Sequence, residues 1–428
     1  MKKKKIAYLV GAMCIVSLLA GCGIGAEREK GRETEIETGT EVEAEVETGT
    51  EAEESKTEKE GQEENKDLQL GIYSEMMDEL SKDNVTLLSP TSLNYALGMV
   101  SVGSDGKAMG AFSDYFGVSP EVYAKIQKDR MDRYLSNEYV TLNVANQIAF
   151  DKSVQVEDSY KEAMKQYYDA NVVDQYDFLS QSEEVSDVIN QFCSENTNGL
   201  IKEAISPSNV KESRFIAVNA LYFLGNWVVP FQESRTMEKS FYGTAGEKDV
   251  PMMNGEGEFF FKERQTVGFS KSYEGGQFEF VGILPSSEIC DEDGNFRVED
   301  VDIRSLLNSR TGEYDVNVKM PRFKAENTLV LTDALKSTVL APALASDADF
   351  SGITQKEELC ISDIIQKVVV DVNEKGTEAA AVTEVIMKTT AVMEPTEIKE
   401  ITLDRPFLFL IYDRENDEIL FMGKVANL

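Results

Sequence analysis

Histidine is absent from all 428 residues of this chain. Its absence removes every mechanism that needs an imidazole base or ligand, including Ser-His-Asp and Cys-His catalysis and the zinc sites that use histidine. Carboxylate, lysine and carboxylate–metal chemistries stay formally open. With 77 acidic side chains, however, some pair by chance, so a lone carboxylate pair carries little weight. Cysteine is almost as scarce. The five are Cys14, Cys22, Cys193, Cys290 and Cys360, with no C-x-x-C pair, and the last three stand roughly 70 to 100 residues apart. That spacing predicts neither a disulfide framework nor a zinc site, and it predicts buried, unpaired thiols at Cys193, Cys290 and Cys360. Basic clusters are missing after Lys5, and the formal net charge is −34. A phosphate backbone is bound by clustered Lys and Arg, so nucleic acid is excluded as a partner. No residue pattern asks for a cofactor or a metal.

What is present begins with an address. Lys2 to Lys5 form a charged start, Ile6 to Leu18 an apolar stretch too short for a comfortable membrane span, and small residues follow. Residues 1–21 therefore read as a signal peptide. The ending Leu19-Ala20-Gly21-Cys22 resembles the bacterial lipobox, which implies cleavage before Cys22 and acylation of its thiol. The chain is then expected to be secreted and lipid-anchored on the outer face of the bacterial cytoplasmic membrane. The alternative is an ordinary signal peptide cut nearby, with Cys22 incidental.

Residues 22–67 change character. From Glu27 to Asp67 there are 17 acidic and 6 basic residues, and Glu37-Thr-Gly-Thr-Glu-Val is echoed at Glu47-Thr-Gly-Thr-Glu-Ala. A segment this polar buries too little surface to offset its ordering entropy, and its like charges extend it. It reads as a disordered tether, or else as an acidic ligand-binding tail.

Residues 68–428 are patterned as one folded domain without an internal linker. Leu68 to Leu80 carry apolar residues at helical spacing, Val85–Leu88 reads as a strand, and Ser89-Pro90-Thr91-Ser92 opens a helix with a hydroxyl cap and a first-turn proline. Strand-like runs follow at Thr141–Phe150, Phe215–Leu224, Phe278–Leu284, Tyr314–Phe323, Gln366–Val372, Phe407–Tyr412 and Ile419–Val425, with helical stretches around 153–168 and 183–196. Strands this far apart, mixed with helices, predict a large α+β domain.

Four segments carry a resemblance. They are Asn84-Val-Thr-Leu-Leu-Ser-Pro-Thr-Ser-Leu93, Asn219-Ala-Leu-Tyr-Phe-Leu-Gly-Asn-Trp-Val-Val-Pro-Phe231, Asp371-Val-Asn-Glu-Lys-Gly-Thr-Glu-Ala-Ala-Ala381, and Arg405-Pro-Phe-Leu-Phe-Leu410 with Phe421-Met-Gly-Lys-Val425. In this order and spacing they resemble the serpins. The resemblance implies three β-sheets, about eight or nine helices and an exposed reactive-centre loop. It also implies a monomeric protease inhibitor, not an enzyme, whose partners are target serine proteases held in a covalent complex. Cysteine proteases are a further possibility, because the loop does not forbid a thiol nucleophile.

The hinge, Glu374-Lys375-Gly376-Thr377-Glu378-Ala379-Ala380-Ala381, can be read from its residues. Gly376 is a natural flex point after an apolar strand. With period two, Thr377, Ala379, Ala381, Thr383 and Val385 fall on one uncharged face, and Glu378 and Glu384 on the other. Such a segment can become a central strand. That matches the loop insertion which the resemblance implies: a protease cuts the loop, the freed hinge enters the main sheet, and the acylated protease is dragged and deformed. A passive surface loop or Ala-rich helical turn is the bland alternative.

Family spacing from Glu374 puts the reactive bond at Thr390–Ala391, which suits an elastase-like or subtilisin-like protease. Met387, Lys388 and Met393 are the alternatives, because the stretch from Ala391 to Pro406 is about five residues longer than the family's. Ser89, Ser92 and Asn219 match the polar shutter beneath the main sheet, and Trp227 matches the tryptophan of the breach, where insertion begins. The shutter position that often holds histidine is Gln366, whose amide donates and accepts without imidazole's geometry. Competing readings are a non-inhibitory serpin, acting as carrier or chaperone, and a surface-binding lipoprotein such as an adhesin or solute receptor.

Overall fold

The computed structural model describes residues 65–81, 84–356, 358–361, 364–377 and 397–428. Among them are nine α-helices: α1 (65–80), α2 (Pro90–Ser101), α3 (Gly106–Phe116), α4 (Pro120–Leu135), α5 (Asp158–Tyr168), α6 (Ser182–Asn196), α7 (Pro207–Glu212), α8 (Ile303–Asn308) and α9 (Thr332–Lys336). Three of them start on the same dipeptide. In α2, α4 and α7 a serine (Ser89, Ser119, Ser206) caps the first turn with its hydroxyl, and a proline follows at the first helical position. That proline lacks only an N–H that the helix leaves unpaired anyway.

The strands form three sheets. The main sheet runs β11 (Phe323–Val330), β12 (Ile365–Val372), β13 (Gly376–Thr377), β4 (Phe215–Asn226), β2 (Thr141–Asp151) and β3 (Asn171–Tyr176). A second runs β1 (Val85–Leu88), β16 (Glu418–Val425), β15 (Phe407–Asp413), β9 (Phe278–Leu284), β8 (Thr266–Ser272) and β7 (Phe259–Glu263). The third has four strands: β14 (Ile398–Thr402), β10 (Asp315–Pro321), β6 (Gly246–Gly257) and β5 (Met237–Gly243). Every residue of β9 and β15 is buried, which is why both read as continuous apolar runs. Aromatic side chains tie the second sheet to the main one: Phe223 of β4 meets Tyr273 and Phe278, and Phe323 of β11 meets Phe407 and Phe409.

Three expectations are corrected. The run Tyr314–Phe323 is not one strand: it breaks at Arg322, where β10 leaves the third sheet and β11 joins the main one. Pro321 has no N–H for a continuing ladder, and Arg322 donates instead to the Pro251 carbonyl at 2.9 Å. The helix expected from 153 begins at Asp158, because the Asp151 carboxylate caps a turn by accepting from the Ser153 backbone. Cys193, Cys290 and Cys360 are all free, but only Cys193 is buried; Cys290 is half-buried and Cys360 exposed. Cys360 lies in an extended segment between buried Leu359 and Ile361, so alternation turns it outward. Burial pushes the Cys193 thiol up to about 12.

Candidate functional site

The apolar strand β12 ends at Val372, and the next four residues reverse the chain. Lys375 N donates to Asn373 Oδ1 at 3.0 Å, and Asn373 N to the Gly376 carbonyl at 2.9 Å. Asparagine at this place closes a turn with its own side chain. The chain then re-enters the main sheet as β13, antiparallel to both neighbours: Thr377 stands opposite Val372 of β12 and Gly225 of β4, and Gly376 opposite Asn226.

Gly376 was expected as a flex point, but the structure uses it for close approach. A Cβ there would sit 2.0 Å from the Gly225 carbonyl oxygen, so no larger residue fits between the strands. Thr377 is buried, and its Oγ1 shares a 2.5 Å hydrogen bond with Tyr273 Oη. Tyr273 lies in the core, so Thr377 faces inward, as the period-two reading requires.

The turn is pinned from the far side. Trp227 N donates to the Lys375 carbonyl and Phe231 N to the Glu374 carbonyl, both at 2.8 Å. Trp227 Nε1 donates to the Asn373 carbonyl at 2.9 Å. The buried Glu374 carboxylate accepts from Thr236 Oγ1 at 2.8 Å and lies 3.6 Å from the Arg322 guanidinium. Trp227 stacks on Tyr273 with centroids 4.4 Å apart, beside the seam between β12 and β4 that β13 enters. The breach is thus a plug of aromatic rings whose backbone amides hold the hinge turn.

Further along the seam, the polar residues fall into two groups. On the β12 side, Gln366 Oε1 accepts from Ser89 N at 2.9 Å and Gln366 Nε2 donates to the Ser89 carbonyl at 2.8 Å. Ser89 Oγ donates to the Leu420 carbonyl and accepts from Ser92 N. On the β4 side, Asn219 Nδ2 donates to Asn146 Oδ1 and Asn146 Nδ2 to the Tyr168 carbonyl, each at 2.8 Å. The structure therefore brings Ser89, Ser92 and Gln366 together and leaves Asn219 in a separate cluster. Asn219 Oδ1 is buried and accepts no hydrogen bond among the described residues.

Between the two groups the sheet is open. Among the described residues β12 and β4 share no paired register with each other; β13 alone bridges them. Phe215, Ala217 and Asn219 of β4 and Ile365 and Gln366 of β12 line a cleft on the core face, floored by Leu93 of α2. Ile189 and Cys193 of α6 line another on the opposite face.

This fold of three sheets and nine helices among the described residues has known relatives. Residues 63–428 match the model of the family described as Serpin (serine protease inhibitor). The chain is a serpin. Human neuroserpin is 30% identical over 378 residues, covering 84% of this chain and 90% of that protein. An uncharacterised serpin-like protein of Thermococcus kodakarensis is also 30% identical, covering 83% of each chain. Among solved structures, the thermophilic serpin tengpin in its native state superposes with a TM-score of 0.73 at 27% identity, over 84% of this chain and 93% of that one. The family is one of protease inhibitors and not of proteases.

Of the residues singled out in the sequence, Ser89, Ser92, Asn219, Trp227, Gln366 and the first hinge residues Glu374 to Thr377 are positioned as described. Residues 65–67, expected in the tether, instead form the first turn of α1, held by Lys66 to Asp417 at 3.4 Å and Asp67 to Arg304 at 2.8 Å. Cys22, the tether up to residue 64, Glu378 to Ala381, the bond Thr390–Ala391 and the alternatives Met387, Lys388 and Met393 lie outside the described residues. Sequence reasoning missed Asn146, Lys271, Tyr273, Arg322 and Asn373. Asn373 alone left a signal, an Asx residue at the end of an apolar strand ahead of a glycine.

Proposed function

We propose that this serpin is an extracellular inhibitor of serine proteases that acts as a suicide substrate by loop insertion, and that Cys22 anchors it by lipid to the outer face of the bacterial cytoplasmic membrane. The observation that carries the inhibitory reading is β13. The hinge already occupies two positions of the main sheet, hydrogen-bonded to strands on both sides, at the mouth of a seam that is otherwise unpaired among the described residues. A strand that continues along that seam pairs its backbone on two sides and buries its small inward side chains. The uncharged alternation from Thr377 to Val385 supports the same reading.

Thr390–Ala391 is the favoured bond, with proteases that accept a small residue, elastase-like or subtilisin-like, as the favoured targets. The protein acts as a monomer, and the acidic segment after Cys22 lifts the bait from the membrane. The test is to mix the purified domain with pancreatic-type elastase, subtilisin and trypsin, look for a band that survives denaturing electrophoresis, and sequence the released C-terminal peptide. The expected result is a covalent complex and cleavage after Thr390. If every protease cuts the loop and stays active, the inhibitory reading fails and a carrier or chaperone role takes its place.

A further inference from the structure

The breach contains a charge that the hinge mechanism does not call for. Lys271, on β8, is 1% exposed and points into the aromatic plug. Its ammonium donates to the Glu256 carbonyl at 3.0 Å, its one acceptor among the described residues. Otherwise it faces ring faces: it lies 4.5 Å from the Phe231 centroid and 5.9 Å from that of Trp227. These are the two residues whose backbone amides hold the Lys375 and Glu374 carbonyls of the hinge turn. Ring quadrupoles attract a cation, but one carbonyl and two rings do not replace the water that an ammonium loses on burial.

We propose that Lys271 is a positioning residue of the breach and acts as a proton-operated wedge: charged, it favours opening of the aromatic plug and entry of the hinge strand, and neutral, it seals the plug. This regulation rests on the loop-insertion reading, since it acts on the same turn. The argument is linkage. A buried base that prefers to lose its proton gains, while protonated, from any movement that returns it to water.

Burial pulls the Lys271 amine down to about 8, against the opposing pull of Glu258 and Glu256. The charged and titratable groups around it are few. From β6 and the residue after it come Glu256 and Glu258, the latter turned to the Ser272 hydroxyl. From the hinge turn come Lys375 and Glu374, the latter engaged by Thr236 and Arg322. From its own hairpin come Tyr273, whose hydroxyl burial pushes far above its ordinary range, and Glu274, which accepts from Asn226.

The sign follows. Below pH 8 the ammonium is charged in closed and open breach alike, and opening is favoured in full. Between pH 8 and the ordinary lysine range only the open form keeps its proton, so opening becomes rarer, by at most about 300-fold. The native fold gains stability against unfolding over the same interval, because the unfolded chain then binds the extra proton.

Trp227 is the one tryptophan in the chain, so its emission reports the breach alone. The test is a fluorescence titration of the intact protein from pH 6 to 10, with thermal unfolding and the rate of covalent complex formation measured over the same range. For the unaltered protein we expect a Trp227 transition near pH 8, a thermal midpoint that rises through it, and slower complex formation above it. Lys271→Met should lose the transition and behave throughout like the alkaline form. Lys271→Arg stays charged and should behave throughout like the form at neutral pH. A Trp227 emission that is flat in the unaltered protein overturns the proposal without help from any variant. So does a transition that persists in Lys271→Met, or a Lys271→Met protein less stable than the parent at every pH. Because the emission and thermal readouts need no protease, a protein that shows the transition yet inhibits nothing refutes the inhibitory reading and leaves the titration of Lys271 standing.

Discussion

The two hinge residues already in the main sheet define the register for everything that follows them. Thr377 pairs with Gly225 on one side and Val372 on the other. Antiparallel pairing carried further would set Ala379 and Ala381 level with Phe223 and Leu221, and Thr383 between Asn219 and Gln366 on the core face. Asn219 Oδ1 is the buried acceptor without a partner among the described residues. Leaving such a group unpaired costs about 1–3 kcal/mol, and a threonine hydroxyl at that level would supply the missing donor. Thr383→Val keeps the shape and removes the hydroxyl. It should cost the cut, inserted form about 1–3 kcal/mol and leave the intact form unchanged. Thr383→Arg forces a guanidinium against α2 and should stall insertion, because an unpaired buried charge costs several kcal/mol. Glu384→Arg, on the outward face, should change little, within about 0.5 kcal/mol. The assays are guanidinium unfolding of intact and cleaved protein, followed by Trp227 emission, and the stoichiometry of inhibition with pancreatic-type elastase. Equal effects of Thr383→Arg and Glu384→Arg, or a Thr383→Val loss shared by intact and cleaved forms, would refute the register.

Three further perturbations test the same frame. Gly376→Val cannot leave β13 between its neighbours, since even a Cβ meets the Gly225 oxygen at 2.0 Å; the hinge should be expelled and the protein cut as a substrate, which complex yield on denaturing gels checks. Gln366→Leu removes both bonds to the Ser89 backbone and leaves its N–H buried and unpaired, while its carbonyl keeps the Leu93 N–H, so native stability should fall by about 1–3 kcal/mol in denaturant unfolding. Cys22→Ala should move the full-length protein from the membrane pellet to the soluble fraction without altering inhibition, and retention in the pellet would argue against the lipid anchor.

Much of the frame was legible because apolar patterning decided it. β9 matches its expected bounds, Phe278–Leu284, because all seven of its residues are buried and none interrupts the run. The serine–proline start of α2 was legible because capping is local chemistry. The hairpin of β5 and β6 was missed: residues 237–239 and 246–249 are exposed on both faces, so Glu238, Lys239, Glu247, Lys248 and Asp249 break the alternation, and the pairing is decided in space. The break at Arg322 was missed because the chain stays extended while it changes sheets. At the site, the hinge was legible because composition alone separates its two faces. Lys271 was not, because its neighbours in sequence are ordinary strand residues. Only the fold carries it to Phe231 and Trp227, 40 and 44 positions earlier.

The missing histidine takes its meaning from how the shutter is divided. A group that joined β12 to β4 across the seam would have to be broken before a strand could enter. Gln366 instead satisfies both ends of its amide on the Ser89 backbone, which belongs with β12 and β16. Asn219 directs its Nδ2 away from the seam to Asn146 on the neighbouring strand. Each half is therefore anchored to its own side of the molecule, and among the described residues no side-chain hydrogen bond runs from one half to the other. Parting β12 from β4 at the shutter then breaks no side-chain hydrogen bond among the described residues, and the loose end there, Asn219 Oδ1, is a buried acceptor on a residue that lines the cleft. On this reading the chain needs no imidazole to hold its sheet shut. The closed state is held at the breach, by Trp227, Phe231 and Tyr273, and the shutter serves the strand after it arrives.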